Sequence, residues 1–302
     1  MQIFNSLIKT EYKTSIALGF FDGVHKGHME VIKTAVNNKK DGEKSAVLTF
    51  INSPTLDLTG FKKPLLLKNE DKMKLFENYG VDIVYCIDFK DIKNMSESEF
   101  VDILSDTLNA KSITTGFNYH FGKGGKSGVD ELKALCENKG IACFTCSAVE
   151  HKGDVVSSTR IRESILDGNI ELANEMLGYN FAIHGTVMKG NHIGTKINTP
   201  TINLPINDDL IAPHFGVYAS IVQIGDHTYK GATNVGVHPT VGGKEVLCET
   251  HLLDFDDADL YGKRVSVELL HFVREEKKFS TLDELKKQIE IDKKYIEIYL
   301  KK

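Results

Sequence analysis

The hydrophobic pattern of the chain changes once, near residue 180, and this change restricts the possible folds more than any other feature. Before that point, short apolar runs rich in β-branched residues alternate with segments whose apolar residues recur at helical spacing. After it, short runs of alternating apolar and polar residues are separated by Gly, Asp, Asn or Pro. The pattern therefore predicts two domains of different architecture, 1–180 and 181–302.

The first half predicts an α/β domain. Strands are indicated by SIALGFFDG, SAVLTF, DIVYCIDF, KSITTGFN and IACFTC, and helical segments lie between most of them. Repeated strand and helix units of this kind form a parallel sheet that is covered on both faces. Ligands of such sheets bind beyond the carboxyl ends of the strands.

The second half predicts antiparallel β structure, as a small closed barrel or a sandwich. The strand-like runs are AIHGTVMKG, PTINLPI, GVYASIVQIGD, HTYKGATNVG, VLCETHLLDF and RVSVELLHFV. The last stretch, TLDELKKQIEIDKKYIEIYLKK, has the pattern of one amphipathic helix that packs on this β structure.

Charge and hydropathy exclude several classes of protein. The chain has 37 Lys and Arg against 42 Asp and Glu, a net charge of −5, so it has no general positive field for nucleic acid. No apolar run reaches the ~18 residues of a membrane-spanning helix, and MQIFNSLIKTEYK lacks the apolar region of a signal peptide. We expect a cytoplasmic protein without nucleic-acid or membrane partners.

The five cysteines are expected to be reduced thiols. Cys143 and Cys146 form a CxxC pair, but no second pair follows at zinc-site spacing, and IACFTC is typical of a strand.

The segment GFFDGVHKGH, residues 19–28, lies where the first strand turns into the first helix. Free amides at a helix start, with His25 and His28 beside them, favour binding of a polyphosphate. Gly23 and Gly27 allow the backbone to approach such a ligand closely. Two histidines three residues apart are also compatible with metal ligation, although no third ligand is evident. A plain turn with two surface histidines is the remaining interpretation.

A second segment, SSTRIRESI at 157–165, places hydroxyl groups and two arginines at the start of a helix. Such a start presents donors and positive charge to an anion. A simple N-cap followed by solvated arginines fits the same pattern. Two anion-binding helix starts in one domain are well explained by a nucleoside triphosphate, since its phosphates and the departing pyrophosphate both need support.

The segment GFNYHFGKGGKSG, 116–128, does not match the common phosphate-loop motifs. A Walker A loop requires glycine where His120 stands, and a GxGxxG motif requires glycine where Ser127 stands. The aromatic residues Phe117, Tyr119 and Phe121 fit either stacking on a planar ligand or packing in the core.

Two features of the second half suit phosphate chemistry. Thr201 and Asn203 lie two residues apart on one strand and share a face, where hydroxyl and amide oxygens can bind Mg²⁺. Glu249 lies in an otherwise apolar strand. It fits a general base for a hydroxyl group, and it also fits a solvent-facing residue of an alternating strand.

Together these segments resemble the prokaryotic bifunctional riboflavin kinases/FMN adenylyltransferases, over nearly the whole length and in the family's order. FDGVHKGH resembles the nucleotidyltransferase HxGH motif, and SSTRIR resembles the ISSTxxR-type motif. PTIN is similar to the PTAN signature of riboflavin kinases, and ETHLLDF is similar to their catalytic-glutamate region. HxGH also occurs in class I aminoacyl-tRNA synthetases, but no KMSKS follows it here.

The resemblance implies a Rossmann-like nucleotidyltransferase domain followed by a riboflavin kinase β-barrel with a C-terminal helix. It implies phosphorylation of riboflavin to FMN by Mg²⁺-ATP in the second domain and adenylylation of FMN to FAD in the first. As catalytic groups it implies Glu249, His25, His28 and Arg162. For ATP it implies Gly19, Phe20, Asp22, Gly23, His25, His28, Ser157, Ser158, Thr159, Arg162, Gly185, Gly190, Gly194, Lys196, Thr201 and Asn203.

For the flavin, the resemblance implies Asn118, His120, Phe121, Gly216, Tyr218, Glu249 and Arg274, and for the metal it implies Thr201 and Asn203. Asn118 and His120 replace the family's usual Asp and Arg, and Asn52 and Ser53 precede Pro54 where the family usually has Pro-His-Pro. A single-activity enzyme and a flavin- or nucleotide-binding regulatory protein on this scaffold are the alternatives. We expect a monomer or a weak homo-oligomer.

Overall fold

The computed structural model of the chain describes residues 1–188, 201–240, 243–253, 255 and 260–301. The chain divides into two compact units, Met1–Ser158 and Thr159–Lys302. No helix among the described residues is long and apolar enough to cross a membrane.

The first unit is built on a six-stranded parallel sheet in the order β1-β4-β3-β2-β5-β6. The strands are β1 (Gln2–Phe4), β2 (Thr14–Leu18), β3 (Lys44–Phe50), β4 (Ile83–Ile87), β5 (Ala110–Gly116) and β6 (Ala142–Cys146). A small antiparallel pair follows, β7 (Glu150–His151) with β8 (Asp154–Val155). The predicted parallel sheet is therefore confirmed.

Helices cover both faces of this sheet. They are α1 (Lys26–Asn38), α2 (Pro54–Thr59), α3 (Asn69–Asn78), α4 (Glu97–Asp102) and α5 (Val129–Asn138). Neighbouring strand residues face opposite sides, so Ile16 belongs to one hydrophobic cluster and Ala17 to the other. Phe100 of α4 and Leu132 of α5 pack in the first cluster, and Val31 of α1 packs in the second.

The strand order places a crevice between β2 and β5. After β2, the chain forms β3 and then β4 on one side of β2. It then crosses to the other side of β2, where it forms β5 and β6. Ligands of open α/β sheets bind at such a switch point, beyond the carboxyl ends of the strands. The segments 19–28 and 116–128 follow β2 and β5, so both lie at this edge.

The second unit is an antiparallel barrel that is nearly closed. Its sheet order is β10-β13-β12-β11-β14-β9. The strands are β9 (Ala182–Thr186), β10 (Thr201–Pro205), β11 (Gly216–Ile224), β12 (His227–Thr240), β13 (Gly243–Leu252) and β14 (Arg264–Glu275). The edges meet where Met188 N donates to Asn203 O at 3.0 Å. The predicted barrel is confirmed.

Helices pack outside the barrel. Those of this unit are α6 (Ser158–Leu166), α7 (Ile170–Leu177) and α8 (Leu282–Tyr299). Ile296 of α8 packs against Ala219 of β11. The interior contains a chain of buried hydroxyls, in which Thr233 Oγ1 lies 2.7 Å from Ser220 Oγ and 2.8 Å from Thr250 Oγ1. These hydroxyls satisfy one another by hydrogen bonding, which lowers the cost of burying them.

The packing division at Ser158 precedes the predicted domain boundary at residue 180. The reason is that α7 is fixed to the barrel: Asn174 Nδ2 donates to Leu269 O at 2.8 Å, and Phe181 N donates to Asn174 Oδ1 at 2.7 Å. Whether function divides at residue 180 stays a prediction.

Gly216 at the start of β11 is a position where the backbone requires glycine. Its φ is +152°, and a Cβ placed there would lie 2.4 Å from Arg274 O. Gly216→Ala should therefore lower the free energy of unfolding by about 2–3 kcal/mol. Gly225→Ala is the matched control, since its φ is +57° but a Cβ there meets nothing within 4 Å. We expect this control to lose only about 1 kcal/mol. Urea denaturation followed by circular dichroism measures both, and equal losses would contradict the steric explanation.

Candidate active sites

The backbone of 19–28 adopts a tight, unusual turn at the end of β2. Phe21 and Val24 have φ values of +55° and +36°, and Gly23 has +79°. Left-handed conformations are costly for residues with a Cβ and occur mainly where surrounding structure enforces them. Here the turn is anchored, because Ser158 Oγ donates to Asp22 O at 2.9 Å and Leu66 N donates to Asp22 Oδ1 at 3.0 Å.

The two histidines of this turn lie against each other at the start of α1. His25 is the N-cap, and its Nδ1 accepts from the His28 backbone N–H at 3.4 Å. The rings stack with centroids 3.6 Å apart and planes 18° apart. A Cβ at Gly27 would lie 3.3 Å from the His25 ring, which explains the small residue there. The two histidines thus lie together at the start of α1, and their predicted binding of phosphate stays a prediction.

The environment of His28 keeps its ring neutral. Burial, together with the nearby His25 and Lys72, holds the pKa of His28 well below its usual range. Its Nδ1 is buried and has no hydrogen-bond partner among the described residues. A buried polar atom without a partner is unfavourable unless a ligand or water satisfies it. The ring therefore suits hydrogen bonding to a ligand, and it does not supply positive charge at neutral pH.

The structure brings part of the second motif to this turn. Ser158 contacts the backbone of Asp22, and Val156 O lies 3.9 Å from the Cβ position of Gly27. Ser157 precedes α6 directly. Thr159 and Arg162 follow in α6 within the second unit, and their predicted contact with ATP stays a prediction.

The segment after β5 forms a small hairpin beside a cavity of about 440 Å³. Phe121 N donates to Ser127 O at 3.0 Å, and Ser127 Oγ donates to Glu97 Oε1 at 3.0 Å. The volume lies in the range of small-molecule sites. The lining residues are Phe117, Tyr119, His120, Lys126, Ser127, Gly128, Val129, Asp130 and Glu131.

Of the predicted flavin residues in this segment, only His120 lines the cavity. Its Nδ1 lies 2.9 Å from Asn118 O. Phe121 is 6% exposed and packs against Phe100 in the core, with ring centroids 5.7 Å apart. Phe117 is 47% exposed and lines the cavity, so it is the ring available for stacking.

In the barrel, strand pairing aligns three polar residues in one row. Glu249 of β13 is directly opposite Asn203 of β10 on one side and Asn234 of β12 on the other. His238 Nε2 lies 3.7 Å from Glu249 Oε2. Residues directly opposite on neighbouring strands share a face, so the predicted base and the predicted metal ligand lie side by side.

Asn203 fits a role toward a ligand or metal. It is 5% exposed, and its Oδ1 has no partner among the described residues. Thr201 lies two residues away on the same face of β10. Hard oxygen atoms of this kind suit Mg²⁺, which usually keeps several waters and phosphate oxygens as its other ligands. The described residues contain no cluster of three or more His, Cys, Asp or Glu side chains that would hold a metal by themselves.

Several other predicted kinase residues make contacts that stabilise the second unit. Tyr218 is fully buried and its hydroxyl donates to His214 O at 2.5 Å. Arg274 pairs with Asp292 of α8, with Nη2 2.7 Å from Oδ2 and Nε 3.0 Å from Oδ1. A Cβ at Gly185 would lie 3.3 Å from Leu204. Direct ligand contacts of these residues stay predictions, and Gly190, Gly194 and Lys196 lie outside the described residues.

Sequence reasoning missed three residues beside these sites. Lys72 of α3 lies under the turn that holds the histidines, and it reads in sequence as an ordinary helical lysine. Asn234 and His238 flank Glu249 through the pairing of β12 with β13. Alternation within HTYKGATNVGVHPT places Asn234 and His238 on the same face of the strand. Only the register between β12 and β13 shows that Glu249 lies beside them.

All five cysteines are free, with Cys86, Cys136 and Cys248 buried and Cys143 and Cys146 half-buried. The prediction of reduced thiols agrees with this arrangement.

Two family models and several known proteins match the chain. A FAD synthetase model matches residues 7–160, and a riboflavin kinase model matches residues 177–300. The chain is 34% identical to a bifunctional riboflavin kinase/FMN adenylyltransferase of Listeria monocytogenes, over 94% of this chain and 91% of that protein. The counterpart from Bacillus subtilis is also 34% identical, over 95% and 93%. A crystal structure of a Streptococcus pneumoniae protein, described as a macrolide-efflux protein, superposes with a TM-score of 0.89 at 32% identity over 98% of both chains.

Proposed function

This chain belongs to the bifunctional riboflavin kinase/FMN adenylyltransferase family, and from that premise we propose how its residues divide the work. The enzyme makes FAD from riboflavin, with FMN as the intermediate and ATP as the co-substrate of both steps. The observation that carries the proposal is that each compact unit holds its own set of polar groups suited to ATP chemistry.

In the barrel, Glu249 is the general base for phosphoryl transfer. It takes the proton from the terminal hydroxyl of riboflavin as that oxygen forms a bond to the γ-phosphorus of ATP, and ADP leaves. Asn203 and Thr201 orient the phosphates and the accompanying Mg²⁺, which neutralises charge on the phosphate oxygens. The pairing of Asn203 with Glu249 supports this division, because it places the orienting amide beside the base.

In the α/β unit, a phosphate oxygen of FMN attacks the α-phosphorus of a second ATP, and pyrophosphate leaves. His28 and His25 donate hydrogen bonds to the phosphates, and the free amides at the start of α1 add the positive end of the helix dipole. Ser157 and Ser158 of the same unit hold the departing pyrophosphate. No covalent enzyme intermediate is needed, because positioning and charge stabilisation dominate such transfers.

The flavin of the second step binds in the cavity beside the hairpin that follows β5. Its volume of about 440 Å³ and the exposed ring of Phe117 suit a planar aromatic ligand. His120 borders this ligand, and its Nδ1 lies 2.9 Å from Asn118 O. Free thiols and the use of ATP fit a cytoplasmic enzyme, acting as a monomer or a weak homo-oligomer without nucleic-acid or membrane partners.

The test is a time course with purified protein, riboflavin, ATP and Mg²⁺, with riboflavin, FMN and FAD separated by chromatography. FMN should rise first and FAD should follow. FMN without FAD would mean a single-activity kinase, and no product would favour a binding protein. Omitting Mg²⁺ should stop FMN formation.

A further inference from the structure

Lys72 is a buried cation at the edge of the sheet that carries the adenylyl-transfer residues. The residue is 2% exposed and lies on α3. Its Nζ donates to Phe20 O at 3.3 Å and Phe50 O at 3.3 Å, and it lies 3.4 Å from Thr49 Oγ1. It also lies 4.9 Å from the centre of the Phe20 ring. One ammonium group therefore joins the chain just past the end of β2 to the end of β3.

This burial is unfavourable for folding. An ammonium ion loses strong hydration in the protein interior, and a close carboxylate usually compensates. Among the described residues no carboxylate lies within the 4.0 Å of an ion pair with Lys72, whose near partners are neutral oxygens. Burial lowers the pKa of Lys72 to about 8, against the opposing effects of Cys86 and Asp22. A methionine of similar length would fill this space at lower cost.

The position of Lys72 links it to the histidine turn. Phe20 O accepts a second hydrogen bond from Thr49 Oγ1 at 2.9 Å, so both groups fix the residue that precedes the left-handed Phe21. The Phe21 ring packs edge-on against His28 with centroids 5.4 Å apart. The charge of Lys72 also contributes to the lowered pKa of His28. The cation thus acts on the site both through the backbone and through its field.

We propose that Lys72 is a positioning residue for adenylyl transfer, which holds the strained turn 20–24 in place and supplies buried positive charge beneath the phosphates. This inference rests on the proposed function of the first unit. The groups facing Lys72 from the other elements are Asp22, Cys86 and His28, and Asp71 precedes it on α3. None of them forms an ion pair with it, so its charge remains available to an incoming anion.

The test compares K72M with K74M, a matched control on the same helix. Lys74 has 60% side-chain exposure and pairs with Asp71 at 2.8 Å. We expect K72M to lower kcat/KM for FAD formation from FMN by roughly 10- to 100-fold, the cost of misplacing a reacting group by about 1 Å. Its melting temperature should be unchanged or higher, and FMN formation from riboflavin should be normal.

K72M with normal FAD formation would overturn the proposal, whereas a wild-type chain that forms no FAD would overturn the proposed function instead.

A second measurement is independent of how well K72M folds. Because the pKa of Lys72 is about 8, the charge is lost as pH rises through that value. For the wild type, kcat/KM for FAD formation should therefore fall above pH 8, while FMN formation should not share this fall. K72R keeps its charge throughout, so the fall should be absent or shifted to higher pH. Two results would overturn the role of the charge. One is a wild-type kcat/KM that stays constant from pH 7 to 9, and the other is the same fall with pH in K72R as in the wild type.

Discussion

Glu249→Gln should stop the conversion of riboflavin to FMN while leaving the conversion of supplied FMN to FAD intact. Glutamine keeps the shape of the side chain but cannot accept the hydroxyl proton, so we expect kcat for FMN formation to fall by about 10²- to 10⁴-fold. Its KM for ATP should change little, because Asn203 and Thr201 remain. The measurement is product formation by chromatography from each substrate separately.

The control for this substitution lies on the same strand. Glu245 is four residues away on β13, on the same face, and is paired with His238 in the register. Glu245→Gln removes the same charge from the same face, so it should leave FMN formation within a few-fold of wild type. Equal losses in both variants would mean that the negative charge of the strand matters and that Glu249 is not the base. Loss of FAD formation from FMN would contradict the division of work between the units.

Much of the local structure can be predicted from the sequence, because residues close together in the chain determine it. Ser96 and Glu99 have the Ser-x-x-Glu spacing of a capping box and form one, with Ser96 N donating to Glu99 Oε2 at 2.8 Å and Glu99 N donating to Ser96 Oγ at 3.3 Å. The helix then continues beyond α4 as one π-helical turn, Ile103–Thr107. The short elements β1 and α2 were not predicted, since three and six residues carry too little periodicity.

The parts of the sites that sequence could not predict depend on pairing over long distances. Glu249 faces Asn203 only because β10 and β13 adopt one register across 46 positions, and a slip of β13 by one residue would turn Glu249 to the other face of the sheet. Lys72 has the spacing of an ordinary helical residue. Its burial depends on how α3 packs over the ends of β2 and β3, which no short-range pattern reveals.

The neutral state of His28 likewise arises from the fold. Two histidines beside a phosphate site suggest positive charge from sequence alone. In the structure, burial and the neighbouring His25 and Lys72 disfavour the charged ring, so hydrogen bonding replaces charge as its contribution. Lys72 and the start of α1 contribute positive charge at this edge of the first unit.

His28→Ala should produce the opposite pattern to Glu249→Gln. FAD formation from FMN should fall by about 10²-fold or more, as expected for a group that stabilises charge in the transition state, while FMN formation should persist. His28→Gln, which keeps a hydrogen-bonding group of similar size, should recover part of the loss. His227→Ala, at the exposed start of β12 in the barrel, is the control and should leave both steps unchanged.

The pH dependence of FAD formation shows whether the neutral or the protonated ring of His28 supports adenylyl transfer. Because the pKa of His28 lies well below 6.5, the neutral ring is present throughout the neutral range, and protonation removes it only at acidic pH. The wild-type kcat/KM should therefore show no loss attributable to this ring as pH rises from 6 to 7.5. A cationic His28 would instead lose its charge in that interval, and activity would fall with rising pH in the wild type but not in His28→Gln. That result would contradict the neutral hydrogen-bond role, and normal FAD formation by His28→Ala would remove His28 from the mechanism altogether.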